Sequence, residues 1–362
     1  MRIREIKIGE LPGFVKSKEY EKLRTKPITP LRAHSQYKNP HADAEETALV
    51  FAAENDTLYA FAGIFPHKTF LEQKSLYSNS GWWANPESGR QWAIPVFLKA
   101  LQLCEQRMIL TDCTAHTKSV LEKTGLFRFV PEIRGNRYFL RFYFGDMFRR
   151  KGKKRWISST FSHIDSMLNS LLPARMFGNS NKIFSENYSL KSIKHLDDEH
   201  AKFIGKFPGE SFFRQEIAKL NWIVQNPWVT TKREASEIAY PFTYKVDSFK
   251  QEFLEIRKEN KLIALLLFSI RDNHASVPFI YYSEDSLKIA SQFLWSYLIK
   301  NKVDSLLVYN CQLNSALVKN SRKNYLFVKN SVRYSGYSNT LQSLFAENEF
   351  SFQDGEADVA FT

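Results

Sequence analysis

Residues 85–93, Asn-Pro-Glu-Ser-Gly-Arg-Gln-Trp-Ala, join a strand-like run to a stretch of helical spacing. A loop of this kind ends at a helix N-terminus, whose unpaired N–H groups take either a capping side chain or an anion. Gly89 allows close backbone approach there, and Arg90 adds a charge that bonds phosphate strongly. Histidine is the side chain that ordinarily titrates near neutrality, so His67 and His116 are each read either as an acid–base group or as an ordinary satisfied histidine. Arg32, Ser35 and Asn39 lie in a polar, proline-flanked stretch, read as a loop that contacts a ligand or bonds its own backbone. Trp82, Trp83 and Trp92 either stack on a ring or pack in a core. Cys104, Cys113 and Cys311 form no CxxC or Cys/His cluster, so buried thiols are expected and no metal site.

These residues need a scaffold, and 362 residues suffice for two domains. With 43% apolar and 25% charged residues the chain forms cores, which excludes wholesale disorder. The net charge of +13 is uneven: residues 149–185 hold eight Lys/Arg against one acidic residue. That concentration argues against a nucleic-acid footprint spread over the protein. The longest apolar run, Leu262 to Phe268, is far short of a membrane span, and the N-terminus lacks a signal-peptide pattern. A cytoplasmic protein is expected.

In the first half, strand-like runs at 45–53 and 57–65 flank Glu54-Asn55-Asp56, a hairpin signal. A third strand at 76–84, a helix from Trp92 to Gln106, a strand at 108–113 and a helix near 116–123 follow, with closing strands near 127–131 and 137–144. Arg149–Arg155 then precedes helical spacing of Ile157, Phe161, Ile164, Leu168 and Leu171, and Gly178-Asn179-Ser180-Asn181 reads as a linker. The basic run with its amphipathic helix, 149–172, fits either a peripheral membrane contact or a solvated joint. The second half repeats the element order: strands at 250–258, 261–270 and 275–282, a helix at 286–300, a strand at 304–310, a helix at 314–319 and closing strands at 325–338.

This order resembles the GNAT (Gcn5-related) N-acyltransferase superfamily, chiefly over about residues 1–145 and through WWANPESGRQWA at 82–93. The expected fold is mixed α/β with two tandem GNAT-like domains, at 1–148 and 186–345, a basic linker at 149–185 and an acidic tail at 346–362. In that family a Q/R-x-x-G-x-G/A turn binds the pyrophosphate of coenzyme A. Here Ser88 takes the Gln/Arg place, Gln91 the first-glycine place and Ala93 the last, with Gly89, Arg90 and Trp92 between. The resemblance thus implies acetyl-CoA, or another acyl-CoA, held by Trp83, Ala84, Asn85, Ser88–Ala93, with an N–H of Trp83 or Ala84 polarising the thioester. Thr114–Phe127 resembles the family segment with a general-acid tyrosine, whose place Leu121 takes. The strand at 75–84 also lacks the family's frequent glutamate, leaving His116, His67 and Tyr77 as catalytic candidates. Arg32, Ser35, Asn39 and Asn79 become acceptor-binding candidates.

The stretch from Lys26 to Lys68 is similar to bacterial acyltransferases found with surface-polysaccharide genes, implying an amine acceptor on an amino sugar or nucleotide-linked sugar. In the second half the matching turn is Tyr282-Ser283-Glu284-Asp285-Ser286. It has no glycine and two carboxylates, so no pyrophosphate is expected there. Two alternatives stand beside the acyl-CoA enzyme: a Fem-type transferase using aminoacyl-tRNA, and a non-catalytic binding protein.

Overall fold

The computed structural model describes residues 2–69, 74–152, 154–172, 187–207, 216–232, 238–283, 285–320, 324–346 and 353–361. The Gly178–Asn181 linker and Glu284 lie outside the described residues.

Among the larger elements, β1 (Arg2–Lys7), α1 (Pro30–Tyr37), β2 (Thr47–Glu54), β3 (Thr57–His67) and β4 (Leu76–Ala84) come first. Next are α2 (Arg90–Leu103), β5 (Met108–Cys113), α3 (Ala115–Thr124), β6 (Phe127–Phe129) and β7 (Ile133–Phe139). The middle holds α4 (Phe144–Arg150), α5 (Arg155–Ser170), β8 (Tyr188–Ile193), α6 (Asp198–Ile204) and α7 (Ile217–Gln225). The last are β9 (Phe249–Lys258), β10 (Lys261–Arg271), β11 (His274–Tyr282), α8 (Leu287–Lys300), β12 (Ser305–Val308), α9 (Cys311–Asn320) and β13 (Phe327–Ser338). The expected hairpins, third strand and following helix thus form, as a mixed α/β fold.

Two compact units result, and neither is contiguous in sequence. One comprises Met1–Ile133, Lys194–Phe249 and Arg333–Thr362, the other Arg134–Ile193 and Lys250–Val332. They differ from the contiguous ranges 1–148 and 186–345 for a reason visible in strand pairing. The end of β13 joins the first unit, pairing antiparallel with β5 (Tyr334↔Cys113, Gly336↔Leu110) and with β6. Strand β7 serves the second unit, where it pairs with β12. Residues 353–361 are no solvated tail: Ala357, Ala360 and Phe361 are buried in the first unit, and Phe361 stacks on Trp228.

In the first unit β1 to β4 pair antiparallel in sequence order and β5 runs parallel to β4. Strands β2 and β3 are apolar nearly throughout because both faces are covered. Val50, Ala52, Ala60, Ala62 and Ile64 pack under α2, against Val96, Phe97, Ala100 and Leu101. The alternate residues Leu49, Phe51 and Phe61 pack with Ile6, Leu11, Phe14 and Ala33. Helix α1 replaces the expected loop at Arg32–Asn39. Thr29 caps it by accepting from the Arg32 N–H, and Pro30 fills its first position.

The second unit orders its strands β8-β9-β10-β11-β12-β7, with β12 parallel to β11. Its core gathers Leu254, Leu266, Phe268 and Ile280 with Phe293, Trp295 and Leu298 of α8. In the turn before α8, the N–H of Ser283 donates to Ile263 O (2.9 Å) and that of Ser286 to Ser283 O (2.8 Å).

Candidate active site

Within the first unit, parallel β4 and β5 pair only at Tyr77↔Met108 and Ser78↔Ile109. Strand β4 runs six residues beyond that point and β5 four. Their parting coincides with a bulge. Register against β3 passes from Ala62↔Trp82 to Ile64↔Asn79, so Ser80 and Gly81 together face Gly63. An extra residue bends its strand and increases the local twist. Gly81 holds a φ of +115°, a conformation that L side chains rarely adopt.

The opening leads into a cleft of about 340 Å³. Asn79 to Trp82 form one wall, Asp112 to Thr114 another, and Thr29 and Arg32 of the α1 end a third. Trp228, Tyr240, Phe242, Tyr244 and Asp358 complete it. Arg32 is 8% exposed and organises this group. Its Nη1 donates to the Tyr240 hydroxyl (2.8 Å), its guanidinium lies 4.0 Å from the Trp228 ring centre, and Nη2 is 3.7 Å from Asp358 Oδ2. Burial pushes the Asp358 carboxyl up to about 6, against the downward pull of Arg32. Burial likewise raises the Tyr240 phenol, keeping it neutral. The Asp358 turn is held from below. Phe361 packs between Trp222 and Trp228 (4.8 and 4.6 Å between ring centres), and its carbonyl accepts from the Trp228 N–H.

Of the sequence candidates, Arg32 and Asn79 line this cleft, with Asn79 Nδ2 donating to Gly63 O across the bulge (3.1 Å). Ser35 and Asn39 are structural. The Ser35 hydroxyl donates to Asn226 O and accepts from Trp228 Nε1, and Asn39 Nδ2 donates to Pro66 O. His67 is fully buried, 2.8 Å from the Ser78 hydroxyl, and desolvation holds it well below its usual titration range. Tyr77 donates to Glu46 Oε1 (3.0 Å), and burial raises its phenol. His116 is exposed on α3. Neither His67, His116 nor Tyr77 lines the cleft. Trp83 packs on Phe61, Trp82 packs on Phe97 while its indole N–H donates to Ala93 O, and Trp92 packs on the same core. Cys104 is buried, whereas Cys311 is exposed and so is not the buried thiol expected.

The turn before α2 is tightly wound. Asn85 donates its N–H to Tyr59 O (2.7 Å), and its side-chain oxygen accepts from Glu87 and Ser88. Gly89 closes the turn onto Asn85 O (2.8 Å). The N–H groups of Arg90 and Gln91, at the first two helical positions, have no intrahelical acceptor. Together with the exposed Arg90 guanidinium they suit one phosphate group.

Asp358, Trp228 and the Tyr240–Tyr244 stretch are among the cleft residues that sequence reasoning missed. The alternating aromatics of Tyr-Pro-Phe-Thr-Tyr and the apolar end Val359–Phe361 were the available signals.

Comparison with known proteins adds the fold class. No family model matches the chain, and no curated protein does. Solved structures do. A conserved Enterococcus faecalis V583 protein of unknown function, named as a probable N-acyltransferase, is 11% identical over 95% of this chain and 74% of its own, with a TM-score of 0.51. GCN5-related N-acetyltransferases from Anabaena variabilis (10% identity, 92% of this chain and 72% of that one, TM-score 0.47) and Sphaerobacter thermophilus (10%, 93% and 95%, 0.46) also match. What the Enterococcus faecalis structure shares with this chain is the mixed α/β fold, and an identity this low carries the likeness no further than fold. Among the described residues no helix is long and apolar enough to cross a membrane, and no three His, Cys, Asp or Glu side chains gather as metal ligands.

Proposed function

We propose that the protein is an acyl-CoA-dependent N-acyltransferase whose acceptor amine enters the cleft beside Arg32 and Asp358. The observation that carries this reading is the parting of parallel β4 and β5 at the Ser80-Gly81 bulge, next to the half-buried Asp358 carboxylate. Acyl-CoA would supply an activated thioester. Arg90 and the N–H groups of Arg90 and Gln91 would hold its phosphate. Beyond Ser78 the β5-facing edge of β4 has no strand partner among the described residues, so the N–H of Trp83 or Ala84 would polarise the carbonyl. Asp358 would take the proton from an ammonium acceptor, freeing the lone pair that attacks the acyl carbon as the C–S bond breaks. Arg32 with the aromatic faces of Tyr240, Phe242 and Tyr244 suits a sugar-linked amine, which supports an amino sugar or nucleotide-linked sugar as acceptor.

A second reading, an aminoacyl-tRNA-dependent transferase, draws on the Asn85 cap, which occupies two N–H groups of the phosphate turn. Calorimetric titration separates the two. Acetyl-CoA binds the wild type, and Arg90→Glu weakens binding by about tenfold through a lost charge-assisted bond. Arg90 is exposed, so the melting temperature stays unchanged. Absence of acetyl-CoA binding together with binding of tRNA would select the second reading.

A further inference from the structure

Helix α5 is amphipathic in the opposite sense to a core helix. Its buried side chains are polar: Ser158, Asp165 and Asn169. They are bonded to the preceding backbone, Asp165 Oδ2 accepting from the Gly145 N–H (2.7 Å) and Asn169 pairing with both backbone groups of Phe142 (2.9 and 2.8 Å). Four large apolar side chains stand exposed among its serines, Thr160 and His163: Trp156 is 67% exposed, Met167 63%, Leu171 just past the helix 70%, and Ile164 39%. At about 100° per residue, these four fall within an arc of about 80°, diametrically opposite the bonded polar face. Burying the polar side against α4 fixes the rotation of the helix, so the apolar stripe cannot turn inward.

Lys151, Lys154 and Arg155, all exposed, stand at the Trp156 end of this stripe. Cations at a helix N-terminus oppose the helix dipole, so their clustering there does not serve helix stability. A layered surface offers the matching partner: anionic headgroups for the lysines and arginine, an interfacial zone for Trp156, and acyl chains for Ile164, Met167 and Leu171. A protein groove would have to supply an apolar floor and an acidic rim in the same arrangement, whereas an anionic bilayer presents both layers along its whole surface. We infer that α5 docks the protein onto an anionic lipid bilayer, with its axis along the surface and the Trp156, Ile164, Met167 and Leu171 stripe inserted. This inference rests on the second unit alone and is independent of the acyl-transfer reading.

The test is co-sedimentation of the full chain with vesicles of phosphatidylcholine containing phosphatidylglycerol, beside vesicles of phosphatidylcholine alone. Binding to the anionic vesicles is expected, falling by about tenfold or more in the Met167→Glu/Leu171→Glu double variant and in Lys151→Glu/Lys154→Glu. All four positions are exposed, and an unchanged melting temperature verifies that each variant is folded. Failure of the wild type to sediment, equal sedimentation of the Met167→Glu/Leu171→Glu variant, or a wild-type dimer that this variant dissolves without any vesicle binding would each overturn the proposal.

Discussion

Asp358→Asn lowers kcat/KM for acyl transfer by about 100-fold or more, the scale at which a positioned base contributes. The wild-type profile falls on the acid side of about pH 6, where burial has raised this carboxyl, because only the ionised form accepts a proton. In the Asn variant that acid limb disappears from whatever rate remains. The same shift has a stability consequence of opposite sign. A folded-state value above that of the unfolded chain means the group's stabilising contribution is complete below about pH 4 and is lost as the pH rises through about 6. That upward shift already includes the attraction of Arg32. The neutral Asn side chain has no such loss, so the melting temperature at pH 7.5 stays at or above that of the wild type. A pH–rate profile and a thermal melt on the same preparation decide the matter. An unaltered acid limb in Asp358→Asn would remove the residue from the reaction.

The C-terminal placement of Asp358 explains why sequence reasoning did not find it. Asp354, Glu356 and Asp358 give residues 346–362 an acidic composition, which reads as solvated. In the structure Asp354 forms a buried ion pair with Arg333, and Glu356 is 1% exposed. The anchor is Phe361 against Trp222, Trp228 and Phe65, a contact between segments far apart in sequence. Periodicity and turn chemistry report on neighbours along the chain, and they are silent on which distant segment a short apolar end will meet. The same limit governs the unit boundaries. The 325–338 strand is legible as a strand, but its pairing with β5 through Tyr334 and Gly336 depends on a partner some 220 positions away.

Local signals served better. Asn55 at a φ of 55° makes the β2–β3 turn where composition predicted, and Gly125 at 68° ends α3 at the close of its predicted span. Thr29-Pro30 carried an N-cap and first-position signal for α1, outweighed by the flanking prolines in the loop reading. Helix α5 was legible as a helix but not in its rotation: its spacing was visible, whereas the bonds of Asp165 and Asn169 to the backbone around α4 set which face is buried. At the candidate site Arg32 and Asn79 were legible as residue types. What joined them was not, since the Tyr240–Tyr244 stretch was read as part of a separate domain at 186–345, whereas it belongs to the first unit and lines the cleft with them.

Gly89→Ala destabilises the protein by about 3 kcal/mol, a fall in Tm of roughly 10 °C, before any ligand is added. A Cβ at Gly89 would sit 2.0 Å from Tyr59 O, 2.4 Å from Asn85 N and 2.9 Å from Asn85 Cβ. The first two atoms are the acceptor and donor of the hydrogen bond that ties the turn to β3. Since backbone atoms cannot swing aside as a side chain can, the turn must lift and carry the start of α2 with it. That movement disturbs the packing of Val96 and Phe97 on β2 and β3. The glycine therefore answers to packing whether or not a phosphate binds beside it. A larger residue such as aspartate at position 89 would abolish binding by unfolding the turn, and its failure to bind would say nothing about phosphate recognition. Arg90→Glu lacks this confusion, because its side chain is exposed. A thermal melt of Gly89→Ala beside Arg90→Glu separates the two roles: the first variant melts early with or without acetyl-CoA, and the second melts as wild type but loses the stabilisation that acetyl-CoA confers. A Gly89→Ala protein with wild-type stability would show that the turn is not pinned by Tyr59.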